Sequence, residues 1–185
     1  MLARLRALPG PRPVVALAGA PGSGKSTLAE ALVARVPGAV LLPMDGFHLD
    51  NRVLDARGLR ARKGAPETFD AAGFVAMLDR VRAGGEVVFP VFDRARDLAI
   101  AGAGVIAAGT RLVVAEGNYL LLDADPWRRA GYDLTLMLDV PEPELRRRLT
   151  ARWQGLGADV AAHLQNDLAN AAWVIRESRA ADLIL

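Results

Sequence analysis

The sequence predicts an α/β fold in which helices cover both faces of a parallel sheet. Short, almost wholly apolar segments alternate along the chain with segments whose apolar residues recur at helical spacing. Strands without polar alternation are typical of parallel sheets, because both of their faces are buried. The segments of strand type are, in chain order, residues 14–18, 39–44, 112–115, 134–138 and 181–185.

The helices follow from apolar spacing and from residues that start or stop a helix. Leu28, Leu32 and Val36 recur at helical spacing until Pro37-Gly38 end the pattern, which predicts a helix over 25–36. Asp70 is the expected N-cap of a second helix, at about 70–83, and Gly84-Gly85 its stop. The remaining expectations are a hairpin from the segments 87–89 and 98–107, a helix opened by Pro141 and Pro143, and a helix over about 165–178.

Length and composition favour one globular domain over residues 1–185. The net charge of +2 gives no strong attraction to nucleic acid or to an anionic membrane, so neither is an expected partner. The chain has no cysteine and two histidines, which excludes disulfides and makes a transition-metal site improbable. The absence of cysteine and of any long apolar run fits a cytoplasmic protein.

One stretch carries a specific motif, because residues 19–27 fit the spacing G-x-x-x-x-G-K-S/T of the phosphate-binding P-loop. An apolar strand precedes it and a helix follows it, which is the order that the motif requires. Lys25 is expected to reach the β- and γ-phosphates, and the Ser26 hydroxyl to bind Mg²⁺. The predicted nucleotide-binding residues are Gly19, Ala20, Pro21, Gly22, Ser23, Gly24, Lys25, Ser26 and Thr27.

Phosphoryl transfer also needs a metal ligand, a base and further cations. Glu116 and Asp139 both end apolar strands; Glu116 is the preferred metal ligand, but the sequence alone does not choose between them. Asp45 ends the second strand and is the candidate base. Arg148 and Arg152 share one helix face and are the candidate catalytic cations.

The polar insertion at about 46–110 is expected to bind the second substrate, and residues 146–164 to form a lid. Lys63 is singled out because it and Lys25 are the only lysines of the chain. The mixed polar groups of the insertion favour a sugar or polyol acceptor, and the basic pair Arg62-Lys63 leaves an anionic acceptor as the second hypothesis. His48 has two interpretations, a ligand of the acceptor or a structural side chain.

Several motifs resemble those of the P-loop kinases grouped with uridine kinase, phosphoribulokinase and type I pantothenate kinase. The resemblance spans nearly the whole chain and extends to proteins named fructose transport system kinase. The matching runs are Asp45-Gly46-Phe47, Lys63-Gly64-Ala65-Pro66-Glu67, Pro90-Val91-Phe92-Asp93, Glu116-Gly117, the pair Arg148 and Arg152, and the pair Asn166 and Asn170. Arg94 departs from the pattern, because pantothenate kinases have histidine there.

This resemblance implies a three-layer P-loop NTPase fold with a parallel sheet of strand order 2-3-1-4-5. It implies transfer of the γ-phosphate of ATP, with Mg²⁺, to a hydroxyl of a small molecule such as a sugar, a pantothenate-like alcohol or a nucleoside. The implied acceptor-binding residues are Asp45, His48, Arg62, Lys63, Phe92, Asp93 and Asn170. A homodimer is left open.

Other functions of a P-loop protein fit the sequence less well. A regulatory GTPase would need an N-K-x-D motif, and neither lysine lies in one. A transport ATPase would need a second signature such as L-S-G-G-Q, which the sequence lacks. A nucleotide-binding or NTP-hydrolysing regulatory protein without transfer activity stays as the alternative.

Overall fold

A parallel sheet forms the centre of the structure, which is a computed structural model that describes residues 1–155 and 160–185. The helices are α1 (Leu2–Arg6), α2 (Lys25–Arg35), α3 (Asn51–Ala56), α4 (Ala71–Ala83), α5 (Glu142–Gly155) and α6 (Val160–Glu177). The strands are β1 (Val14–Gly19), β2 (Ala39–Pro43), β3 (Val87–Asp93), β4 (Leu98–Ile106), β5 (Leu112–Gly117), β6 (Leu134–Leu138) and β7 (Leu183–Ile184).

The sheet has the expected topology. Five parallel strands lie in the order β2-β5-β1-β6-β7, which is 2-3-1-4-5 when the separate β3–β4 hairpin is not counted. The antiparallel pairing of β3 with β4 confirms the predicted hairpin, and its register shifts next to Pro90. Proline has no N–H for the ladder, so a shift at this position is physically reasonable.

The helix predictions are confirmed with two differences. Asp70 caps α4 by accepting a hydrogen bond from the Gly73 N–H, and Gly84 ends that helix with φ 87°. The last helix begins at Val160 rather than near residue 165, because the alanine-rich turn before His163 also favours helix. The short helices α1 and α3 have too few turns for apolar periodicity to reveal them.

Alternate residues of β1 enter two different hydrophobic cores. Val14, Ala16 and Ala18 pack with α4, the hairpin and Trp127, whereas Val15 and Leu17 pack with α1 and α2. Each of these five residues is fully buried. Side chains alternate across a strand, so one wholly apolar strand serves a core on each face of the sheet, as the sequence predicts.

Within the described ranges, no helix combines the length and the apolar character that crossing a membrane would require.

The register of the sheet shows where polar groups meet. Glu116 of β5 lies beside Leu17 of β1 and Pro43 of β2, so the carboxyl ends of these three strands are adjacent. Ligands of open parallel sheets bind outside such ends.

Candidate active site

The P-loop leaves β1 and enters α2 through two glycines in the left-handed region. Gly22 has φ 80° and Gly24 has φ 91°, a conformation that other residues rarely adopt. Gly19 is needed for a different reason, since a Cβ there would lie 2.7 Å from Ser23 Oγ. Ser23 Oγ is itself buried without a hydrogen-bond partner among the described residues. The loop therefore has the compact form and the free polar group expected of a phosphate cradle.

Lys25, Ser26 and Glu116 form a polar cluster at the end of this loop. Ser26 Oγ donates a hydrogen bond to Glu116 Oε1 at 3.2 Å, and Lys25 Nζ lies 3.8 Å from the same oxygen. Both members of the ion pair are nearly buried, with 12% of the Lys25 side chain and 8% of the Glu116 side chain exposed. The sequence predicted Lys25 and Ser26 for the phosphates and Mg²⁺ and preferred Glu116 over Asp139 as the metal ligand, and the fold brings Lys25, Ser26 and Glu116 together.

Burial perturbs the charged states of this cluster. It lowers the pKa of the Lys25 ammonium, while the carboxylates of Glu116 and Asp45 act in the opposite direction. Burial likewise raises the pKa of Glu116, and Lys25 opposes that change. Removing either partner would leave the other as an uncompensated buried charge, which is strongly destabilising.

Glu116 and Asp139, the two candidate metal ligands, lie in different environments. Glu116 contacts the P-loop serine, whereas Asp139 follows β6, has an exposed side chain and bonds through its backbone N–H to Leu185 O. Across residues 1–155 and 160–185 there is no cluster of three or more histidine, aspartate or glutamate side chains placed to hold a metal. Mg²⁺ is usually held by one or two carboxylates together with phosphates and water, and Ser26 with Glu116 fits that donor set.

The two candidate catalytic arginines project from α5 in different ways. Arg148 Nη1 donates to Ser23 O at 3.0 Å, while its Nε donates to Glu144 Oε1 at 2.7 Å. Arg148 therefore already contacts the P-loop. Arg152 lies 5.4 Å from the Trp153 ring centroid, and its charge acts on Lys25. Residues 156–159 of the expected lid lie outside the described residues.

Asp45 and His48 lie just beyond β2, on a turn of 3-10 helix. The Asp45 carbonyl oxygen accepts from the His48 N–H at 3.1 Å and contacts His48 Nδ1 at 2.8 Å. A carbonyl can only accept, so Nδ1 carries a proton and Nε2 of the neutral ring is left as an acceptor. Burial lowers the pKa of His48, which favours this neutral ring.

The His48 ring is held between two aromatic rings of the insertion. Its centroid lies 4.0 Å from that of Phe69 and 4.7 Å from that of Phe92. Close packing of Gly46 explains how this turn meets the hairpin, because a Cβ at Gly46 would lie 2.0 Å from Pro90 O. The predicted residues Asp45, His48 and Phe92 are thus brought together.

Lys63 is committed to contacts within the insertion. Its Nζ lies 2.7 Å from Asn51 Oδ1, 2.8 Å from Asp97 O and 2.7 Å from Asp97 Oδ1, and 5.1 Å from the Phe92 ring centroid. An ammonium group has three donors, so these three oxygens occupy all of them. We call Lys63, Asn51 and Asp97 the lysine clamp. It joins the 51–63 segment to the hairpin turn.

The other expected acceptor residues differ in how free they are. Arg62 is paired with Glu67 at 2.6 Å, and Asp93 Oδ1 accepts from the backbone N–H groups of Ala95 and Arg96. Asn170, in contrast, is 1% exposed, and its Nδ2 has no hydrogen-bond partner within the described part of the chain. An unpaired buried amide is costly, which makes Asn170 a candidate ligand donor.

Sequence reasoning assigned no individual role to Arg94, Asp97 or Tyr119. Arg94 Nη2 lies 2.6 Å from Asp45 Oδ2, and Tyr119 donates from its hydroxyl to Gly64 O at 2.6 Å. Tyr119 thereby fixes the segment that Asn166 also holds, through a bond to Lys63 O at 3.0 Å. The polar run from Asp93 to Asp97 was a signal for this turn, but its partners are far away in the chain.

Two cavities flank the sheet. A cavity of about 250 Å³ lies beside Ala20 of the P-loop and is lined by Leu138, Val140, Arg179 and Ile184, among others. A larger one of about 520 Å³ lies between Leu5, Pro13 and Arg111, near the amino ends of the strands. Of these two cavities, the smaller one adjoins the phosphate cradle.

Known proteins share this sequence and this fold. A family model described as an AAA domain matches residues 14–165. The Escherichia coli K12 protein YggC, itself uncharacterized, is 39% identical over 198 residues, which cover 100% of this chain and 82% of YggC. A Schizosaccharomyces pombe protein provisionally named a uridine kinase is 33% identical over 194 residues, covering 94% of this chain and 83% of that protein.

A solved structure extends the likeness to the fold. A Silicibacter sp. TM1040 protein, provisionally described as a fructose transport system kinase, superposes with a TM-score of 0.91 at 46% identity. The match covers 100% of this chain and 94% of that one.

Proposed function

The chain belongs to the P-loop family described as an AAA domain and to the kinases grouped with uridine kinase, and from this premise we propose a phosphotransfer reaction. The protein transfers the γ-phosphate of ATP to a hydroxyl group of a small molecule. The observation that carries the proposal is the position of Asp45. It lies in the turn directly after β2, whose last residue Pro43 pairs with Glu116 in the sheet, and its negative charge acts on the pKa of both Lys25 and Glu116. A base beside a phosphate cradle is the arrangement that transfer to an alcohol needs.

The nucleotide is bound from the P-loop side. The backbone N–H groups of the loop and the start of α2 surround the phosphates, and Lys25 lies against the transferred group. The cavity of about 250 Å³ beside Ala20 is the space we assign to the adenine ring, since it adjoins the loop and has apolar walls. Arg152 contributes positive charge over the phosphates.

Ser26 and Glu116 are the residues that would hold Mg²⁺. Both present oxygen atoms, and they already contact each other across the end of the P-loop. When bound, the ion neutralises charge on the β- and γ-phosphates.

The acceptor hydroxyl lies against Asp45. In the proposed reaction the Asp45 carboxylate takes the hydroxyl proton as the hydroxyl oxygen bonds to the γ-phosphorus. The bond from that phosphorus to the β,γ-bridging oxygen breaks, and ADP leaves. His48 Nε2 accepts a hydrogen bond from a second hydroxyl group, and Asn170 Nδ2 donates a hydrogen bond to an acceptor oxygen.

The proposal is tested by measuring ADP release and phosphorylated product over a panel of sugars, polyols, pantothenate, nucleosides and sugar phosphates. We expect at least one acceptor to yield product in a one-to-one ratio with ADP. ADP release that no acceptor stimulates, with inorganic phosphate as the sole product, would show a hydrolase and overturn the proposal.

A further inference from the structure

Arg94, in the turn of the β3–β4 hairpin, places its guanidinium group against the carboxylate of the candidate base Asp45. Its Nη2 lies 2.6 Å from Asp45 Oδ2, although 49 residues separate the two in the chain. The Arg94 side chain is 63% exposed and that of Asp45 is 28% exposed. This pair is therefore open to a ligand, unlike the buried pair of Lys25 and Glu116.

The turn that carries Arg94 is fixed on both sides. On one side, Asp93 Oδ1 accepts from the N–H groups of Ala95 and Arg96, at 3.0 Å each. On the other, the lysine clamp holds Asp97, whose φ of 55° is unusual for a residue other than glycine. A guanidinium on a turn held in this way loses less freedom when it binds a ligand.

The donors of Arg94 are largely unused, whereas those of Lys63 are occupied. A guanidinium has five N–H donors, and the contact with Asp45 uses one of them. Lys63, the cation singled out from the sequence, has its three donors on the clamp oxygens. Of these two cations, Arg94 is the one with donors left for an acceptor.

From this geometry, and resting on the proposed function, we infer that Arg94 binds an anionic group of the acceptor. The substrate class is then a small hydroxylated carboxylate or phosphate rather than a neutral polyol. Because Arg94 touches the carboxylate that takes the hydroxyl proton, the anionic group and the attacking hydroxyl lie a few bonds apart. Arginine presents parallel donors that suit both carboxylate and phosphate.

Charge balance supports the same conclusion. An anionic acceptor must approach both the Asp45 carboxylate and the phosphates of ATP, which repel it. Arg94 lies beside Asp45 and offsets that repulsion, so its charge stabilises a bound anion more than a bound neutral sugar.

The test compares acceptors that carry an anionic group with neutral relatives of the same carbon skeleton. The pairs are glycerate with glycerol, gluconate with glucose, pantothenate with its neutral alcohol, and glycerol 3-phosphate with glycerol. For each pair, the anionic preference is the kcat/KM of the charged member divided by that of the neutral one. The carboxylate and phosphate pairs separate the two sources of negative charge.

We expect wild-type protein to prefer the anionic member of its best pair, and Arg94→Gln to reduce that preference by about 10- to 100-fold, as for a lost hydrogen bond to a charged group. Any effect of Arg94→Gln on Asp45 itself changes kcat/KM equally for both members of a pair, and it therefore cancels in the anionic preference. Arg94→Lys keeps the charge and should retain part of the preference. Arg96→Gln, on the same turn but paired with Asp93, is the control and should leave it unchanged.

Equal use of both members, unaltered by Arg94→Gln, would overturn the inference while leaving the kinase proposal intact. Absence of any phosphorylated product with all panel members would instead count against the proposed function itself. The melting temperatures of the three variants show whether a loss of activity reflects unfolding. If Arg94→Gln is unfolded, the anionic preference of Arg94→Lys is compared with that of wild-type protein instead.

Discussion

The phosphate side of the site is built from consecutive residues, whereas the acceptor side is assembled from separate segments. Residues 19–27 form the cradle in one stretch, and Glu116 joins it from the neighbouring strand. The acceptor side combines the turn after β2, the 62–69 segment, the hairpin turn and α6. A contiguous motif can therefore be recognised in the sequence, whereas a site assembled from distant segments becomes visible only in the fold.

The largest effect is expected on the phosphate side, from Lys25→Ala. Loss of this buried cation removes both ground-state contacts and transition-state stabilisation, so kcat/KM should fall by at least about 10³-fold. It also leaves Glu116 without its charged partner. Steady-state kinetics with a nucleotide-binding titration measure the effect, and near wild-type turnover would separate the P-loop from the reaction.

A smaller loss is expected from Arg152, the candidate catalytic arginine of α5 whose charge acts on Lys25. Arg152→Ala should lower kcat by about 10²-fold through lost stabilisation of developing charge. The melting temperature should hardly move, since an exposed side chain contributes little to stability. Arg146→Ala is the matched control, because Arg146 is on the same helix and is paired with Glu142. A drop in melting temperature with unchanged kcat would make Arg152 structural.

A still smaller effect is expected on the acceptor side, when the lysine clamp is broken. Lys63→Met removes the charge but keeps the contact with Phe92, and should raise the acceptor KM about tenfold as the hairpin turn loses charged hydrogen bonds. The KM for ATP should stay unchanged. Arg60→Met, which removes an exposed pair with Asp55, is the control. Equal increases in both KM values would contradict the division of the site into two sides.

The same division explains what the sequence could predict. The sheet and its longer helices depend on local patterns, and their prediction is confirmed in the fold. The phosphate cradle also depends on a local pattern, and its role stays a prediction. Which side chains pair within the insertion depends on contacts across long stretches of chain. Lys63 meets Asp97 over 34 residues and Arg94 meets Asp45 over 49, and no local spacing encodes either pair.

Single residues show the limit clearly. Lys63 stood out in the sequence because lysine is rare in this chain, but rarity did not indicate that its ammonium would be used internally. Asn170 was implied by resemblance alone, and its unpaired buried amide is a feature that only coordinates reveal. Arg94 looked like a departure from a family pattern, and the fold places it on the candidate base.

The central claim is that one molecule binds ATP at the P-loop and presents an acceptor hydroxyl to Asp45. The most direct measurement is transfer from γ-labelled ATP to the best acceptor of the panel by Asp45→Asn, alongside the dissociation constant for ATP. Transfer should fall by about 10²–10⁴-fold, the usual worth of a general base, while ATP affinity stays at the wild-type value. Asp79→Asn, an exposed carboxamide substitution on α4, should change neither. Full transfer by Asp45→Asn, or loss of ATP binding in parallel with transfer, would contradict the account.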